Sequence, residues 1–151
     1  MEPSLREQLL RLNLDQADSK IEPDRIVWLA CDLLIGGLDT PALRELAGES
    51  PTRLEQSHAT ALVRQVLAEL DIVLMTEEEA DWFLGRETAV KILAGAPRAE
   101  WKNATWRITT RMNDENDGVY AALNTYEYDP EPFRGYVREY LRIAEKQLTE
   151  W

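Results

Sequence analysis

Histidine and cysteine are nearly missing from this chain, with one of each among 151 residues. A lone Cys31 leaves no internal disulfide and no thiolate-rich metal site. A lone His58 removes His-rich zinc sites and HExxH proteases, and any Ser–His or Cys–His nucleophile pair has to use His58 itself. Positive charge is scarce as well: 28 acids outnumber 17 bases, giving a net charge of −11. Phosphate contacts need clustered Lys and Arg, so no nucleic-acid partner is expected, and an anionic membrane is repelled. No run approaches the roughly 20 apolar residues of a membrane span. The opening MEPSLREQLL is acidic and too short of apolar length for a signal peptide, so cytoplasmic residence is the expectation.

What remains is an ordinary globule in every respect but charge. A hydrophobic fraction of 44% and a charged fraction of 30% suit a water-facing domain. A chain of this length buries enough surface to need no staples, and one domain over residues 1–151 is expected. The same negative field that repels phosphate steers a basic partner inward.

The stretch GGLDTPALRELAGESP, residues 36–51, has the look of a signature. It lacks both the Lys-Ser/Thr ending of a phosphate-cradling loop and a GxGxxG pattern. Its residues read better as helix punctuation. Thr40 offers an N-cap oxygen, Pro41 fits the first helical position, and Leu43 and Leu46 lie three apart. Gly48 reads as a left-handed stop, and Ser50-Pro51 as the next start, with Thr52 and Glu55 as an alternative capping box.

Helical spacing extends through most of the chain. Ser4 and Glu7 have capping-box spacing ahead of Leu5, Leu9 and Leu12, which predicts a helix to about Asn13 followed by a polar connection over 14–20. Pro23 opens a second helix striped by Ile26, Leu29, Ala30, Leu33 and Leu34, which Gly36-Gly37 end. A helix over about 53–70 carries Leu62, Val63, Val66, Leu67 and Leu70. IVLM, residues 72–75, is the one strong strand candidate, short and isolated enough to read better as a core-filling connection. Thr76 and Glu79 cap another helix, with Ala80, Phe83 and Leu84 facing inward and Gly85 as a break or kink before Ala89, Val90, Ile92 and Leu93. Residues 101–112 and 119–128 fit helix or strand. Phe133, Tyr136, Val137, Tyr140, Leu141, Ala144 and Leu148 stripe a long final helix. The sum is an all-α, single-domain bundle of six to eight helices, with minor β content as the alternative.

Two stretches carry a resemblance. DRIVWLACDLLIGGLDTPALRELAGE, residues 24–49, resembles the start of small bacterial helical proteins with a GLDSPALRELAG-type N-terminal region. YEYDPEPFRGYVREYLRIAEKQL, residues 126–148, resembles the acidic turn and last helix of similar proteins. The matching residues are caps and stops, so the resemblance implies a helical fold and assigns no activity, cofactor or site.

Three constellations invite chemistry. Glu55 and His58 have the Glu-x-x-His spacing of di-iron bundles, but those need a second such motif and two more carboxylates. NDENDG, residues 113–118, aligns with half a calcium loop, yet Asn stands at its first position and Asn124 where the bidentate Glu belongs. No metal and no cofactor are therefore expected. Cys31, in the apolar run WLACDLL, reads as a buried inert thiol, and Trp28 and Trp82 read as core.

The third constellation concerns binding. Asp114, Glu115, Asp117, Glu127, Asp129 and Glu131 fall in a stretch without Lys or Arg, interleaved with Tyr126 and Tyr128. Acids give long-range attraction and tyrosines give anchorage, so this is the candidate face for a basic protein partner. Trp101, Trp106, Arg107 and Arg111 form a secondary candidate of opposite sign. The function expected is a non-catalytic acidic protein that occludes a basic partner, in the manner of an immunity protein or antitoxin. An accessory or regulatory helical subunit of a larger assembly is the alternative, ahead of a small-ligand carrier or enzyme. Oligomeric state is not legible.

Overall fold

The computed structural model describes residues 3–97, 108, 131–149 and 151. Among these residues there are six α-helices and no strand, so the all-α expectation holds. The chain divides into two compact units, Met1–Glu77 and Glu78–Trp151.

The first unit holds α1 (Pro3–Ala17), α2 (Pro23–Ile35), α3 (Pro41–Gly48) and α4 (Gln56–Glu69). The short α3 packs against both α2 and α4, and α1 packs against α4. Leu43 and Leu46 of α3 are fully buried, with Ala30 and Leu33 of α2, Leu9 and Leu12 of α1, and Val63, Val66 and Leu67 of α4 around them. Burial of a side chain of this size contributes about 1.5–3 kcal/mol each.

Helix starts follow the sequence where proline and threonine mark them. Thr40 is the N-cap of α3 and its hydroxyl accepts the Leu43 N–H at 3.2 Å, with Pro41 next in line. The carboxylate of Glu69, at the end of α4, accepts the Ala42 N–H at 2.9 Å. One helix thereby supplies an anion to the positive end of another. Hydrogen bonds from the Ala42 amide, then from the Thr40 and Gln65 side chains, hold the Glu69 carboxyl below its ordinary range.

Helix ends share one device. After α1, α2, α4 and α5 (Glu77–Leu93) a left-handed residue turns the chain, at Ser19, Gly37, Asp71 and Gly95. The amide that follows reaches five residues back, as from Leu38 to the Leu33 carbonyl at 3.1 Å and from Ile72 to the Leu67 carbonyl at 2.9 Å. This satisfies carbonyls that would otherwise be stranded.

Several boundaries depart from the sequence reading. Helix α1 begins at Pro3, so Ser4 lies inside it, and it runs on to Ala17 rather than stopping near Asn13. Gly48 is not a left-handed stop. It is the last residue of α3, and Glu49 leaves directly into extended backbone. Helix α4 starts at Gln56 rather than near Arg53, because Ser50-Pro51 builds an isolated turn in which the Arg53 and Leu54 amides both donate to the Ser50 carbonyl.

Residues 72–75 have neither regular secondary structure nor a strand partner, and the physical reason is in α1. Asn13 and Gln16 are buried. The Asn13 carboxamide donates to the Val73 carbonyl at 2.9 Å and accepts the Met75 N–H at 2.8 Å. Gln16 donates to the Met75 carbonyl at 2.9 Å and to Asn13 Oδ1 at 3.0 Å, and accepts from Arg64 Nε at 3.0 Å. Two side chains thus occupy backbone groups that a neighbouring strand would otherwise take.

The second unit contains most of α5 and all of α6 (Glu131–Gln147). The stripe Phe133, Val137, Tyr140, Ala144 and Leu148 is buried as the spacing predicts, together with Ile108. Helix α5 buries Ala80, Trp82, Phe83, Ala89 and Ile92, while Val90 is exposed. Gly85 neither breaks nor kinks α5, which is continuous. Tyr140 presses so closely on Gly85 that an added Cβ would lie 1.8 Å from the Tyr140 hydroxyl. Tyr140 stacks on Trp82 with centroids 5.4 Å apart, and its hydroxyl donates to the Trp82 carbonyl at 3.4 Å. The Trp82 indole N–H is buried without an acceptor among the described residues. Burial of Trp82 agrees with its reading as core.

Candidate functional site

Most of the sequence-derived binding face lies outside the described residues: Asp114, Glu115, Asp117, Tyr126, Glu127, Tyr128 and Asp129, as does the secondary set Trp101, Trp106, Arg107 and Arg111. Residues 113–118 of the half-calcium loop lie outside as well. Glu131 is described. It is exposed in the first turn of α6 and pairs with Arg138 at 2.7 Å, which holds its carboxyl below the ordinary range. Trp151 is half-buried, and its indole N–H donates to Glu79 Oε2 at 2.5 Å.

The structure places a different acid–aromatic face in view. Trp28, read from sequence as core, is 64% exposed on α2. The reason is angular. Ile26, Ala30 and Leu33 define the inward stripe, and Trp28 falls off it. Asp24, Trp28 and Asp32 stand four apart on the outer face, with Ile35, 85% exposed, three residues further. The pattern Asp-Trp-Asp-Ile at helical spacing was present in the sequence as a second stripe.

Trp28 borders a cleft of about 660 Å³ between α1 and α2. Leu12, Ile26 and Leu29 give it apolar lining, and Glu7, Asp15 and Asp32 bring carboxylates to it alongside Arg11 and Arg25. Burial pushes the Asp15 carboxyl above its usual range, chiefly by desolvation, with Arg11 pulling the other way. Such a group gains from an incoming cation. The acid excess is also steeper in this part of the chain: residues 1–77 carry fourteen acids and seven bases, residues 78–151 fourteen and ten.

Cys31 is half-buried rather than buried, and its thiol contacts the Ala47 carbonyl at 3.8 Å, bridging α2 and α3. Glu55 is the N-cap residue of α4, and the groups that converge with His58 are Glu45 and Glu49, from the end of α3. Among the described residues these three are the His/Cys/Asp/Glu group whose spacing could hold a metal ion. No helix among those residues is long and apolar enough to cross a membrane.

The chain matches no protein-family model, no curated protein and no solved structure.

Proposed function

We propose that this chain is a non-catalytic acidic binding protein that occludes a basic protein partner, in the manner of an immunity protein or antitoxin. The observation that carries the reading is Trp28, exposed between Asp24 and Asp32 on the rim of the α1–α2 cleft. An exposed tryptophan flanked by carboxylates suits a Lys- or Arg-bearing surface. The carboxylates attract at range, and the ring receives a cation on its face or an apolar stem against its edge. Half-buried Asp15 gives an arriving basic side chain a destination inside the cleft.

Titration against basic proteins encoded beside its gene, at rising salt, tests the reading. Binding is expected at low salt and weakens as salt rises. Trp28→Ala is expected to cost about 2 kcal/mol or more of affinity, as a central aromatic anchor does. Its effect on folding stability should stay within about 0.5 kcal/mol, since the ring is mostly outside the core. Asp24→Lys with Asp32→Lys should slow association and flatten the salt dependence. No binding to any such protein, or binding indifferent to Trp28, overturns the reading.

The second reading, an accessory helical subunit of a larger assembly, draws on Ile35, whose 85% exposure continues the Trp28 face without charge. It predicts association that persists in high salt and fails in Ile35→Asp.

A further inference from the structure

At the junction of α3 and α4 three metal-ligating side chains meet. Glu45 and Glu49 are four apart, so their carboxylates rise from the same side of the end of α3. The turn over residues 50–54 returns the chain, with Leu54 buried as its anchor. His58 then stands in the first turn of α4. One ligand atom from each of the three lies within 4.8 Å of the others.

The cluster is electrostatically uncompensated. Two carboxylates at i,i+4 repel one another, and these stand at the negative end of the α3 dipole, where anions are disfavoured. Arg44, next to Glu45 in sequence, is engaged with Asp39 at 3.2 Å. Among the described residues, none of the three side chains has a hydrogen-bond or ion-pair partner. The chain's single imidazole is thus brought from another helix to two unneutralised carboxylates.

We infer that Glu45, Glu49 and His58 bind a divalent transition-metal ion of the zinc class. Carboxylates alone would favour Mg²⁺ or Ca²⁺, but imidazole nitrogen suits zinc, copper and nickel. Three protein ligands leave a fourth tetrahedral position for water. Ligands of a tetrahedral zinc ion stand about 3.3 Å apart, from metal–ligand distances near 2.0–2.1 Å. Glu45 and His58 are exposed and Glu49 half-buried, so side-chain rotation closes the remaining distance. The ion ties the end of α3 to the start of α4 and acts on the stability of the first unit, independently of the Trp28 face.

Because His58 is the only histidine, full-length protein labelled with ¹⁵N-histidine gives one imidazole to watch during titration with zinc chloride. Saturation at one equivalent, a shift of that imidazole and a raised thermal midpoint are expected, while magnesium chloride leaves the imidazole unmoved. His58→Ala should lose binding, and Glu45→Gln and Glu49→Gln should each weaken it about tenfold or more. Glu55→Gln, outside the cluster, should bind as the wild type does. Circular dichroism checks that each variant keeps its helices. An imidazole that zinc does not shift overturns the inference, as does undiminished affinity in both Glu45→Gln and Glu49→Gln. A Glu55→Gln variant that is the one to lose zinc overturns it too, by returning the site to a single helix.

Discussion

In the first unit polar side chains fasten one element to another. Asn13 and Gln16 hold the backbone of residues 73–75, and the Glu69 carboxylate caps α3. In the second unit rings do this work. Tyr140 lies on the bare backbone of Gly85, stacks on Trp82 and hydrogen-bonds its carbonyl. Trp28 of the first unit lies outside, whereas Trp82 of the second lies inside. A polar clasp depends on every donor and acceptor being matched, because an orphaned buried group costs its full desolvation. A ring on a glycine depends on shape alone, so one added carbon is enough to disturb it.

The largest expected effect breaks the polar side of that contrast. Asn13→Leu keeps the branched shape but strands the Met75 amide and the Val73 carbonyl, so a loss of about 3 kcal/mol in denaturant unfolding is expected. The ring side is broken by Gly85→Ala. Helix propensity alone would make that change stabilising by about 0.5–1 kcal/mol. Overpacking against Tyr140 reverses the sign, for a net loss of about 2 kcal/mol by the same measurement. Tyr140→Phe removes the nearest atom, so in the double variant the penalty of Gly85→Ala should shrink. A neutral Gly85→Ala would show that the close approach constrains nothing.

A smaller effect, read from acid unfolding, sharpens the account of the first unit. Glu69 has a lowered carboxyl pKa, so its contribution is fully present above the ordinary glutamate range and is lost as pH falls through the lowered value. Glu69→Gln should flatten that limb. Asp15 has the opposite sign. Its raised pKa means that the charged form weighs against folding at neutral pH, a penalty lifted as pH falls through the raised value. Asp15→Asn should stabilise at pH 7 and lose that advantage in acid.

Much of the helical layout was legible because rigid residues punctuate it. Pro23, Thr40, Pro41 and Gly37 each do locally what their chemistry favours. The turns at Ser19 and Asp71 were not legible, since neither residue advertises a left-handed conformation as glycine does. The spacing of Leu5, Leu9 and Leu12 gives no sign that α1 runs on past Asn13. The partners of Asn13, 60 and 62 residues away, are what make it a core residue. Trp28 was misread by residue type although its position lay off the stripe. The convergence of Glu45 and Glu49 with His58 needed the packing of α3 on α4, which no spacing in a single sequence supplies.

The Asn13–Gln16 clasp bears on self-association. IVLM is the most β-prone segment read from the sequence, and it follows α4 with Val73 exposed. A stretch of that kind offers a template for cross-chain pairing when its hydrogen-bonding edge is open. Here the carbonyl of residue 73 and both backbone groups of residue 75 are already taken by carboxamides. The carboxamides of α1 thus withhold these three backbone groups from any incoming strand.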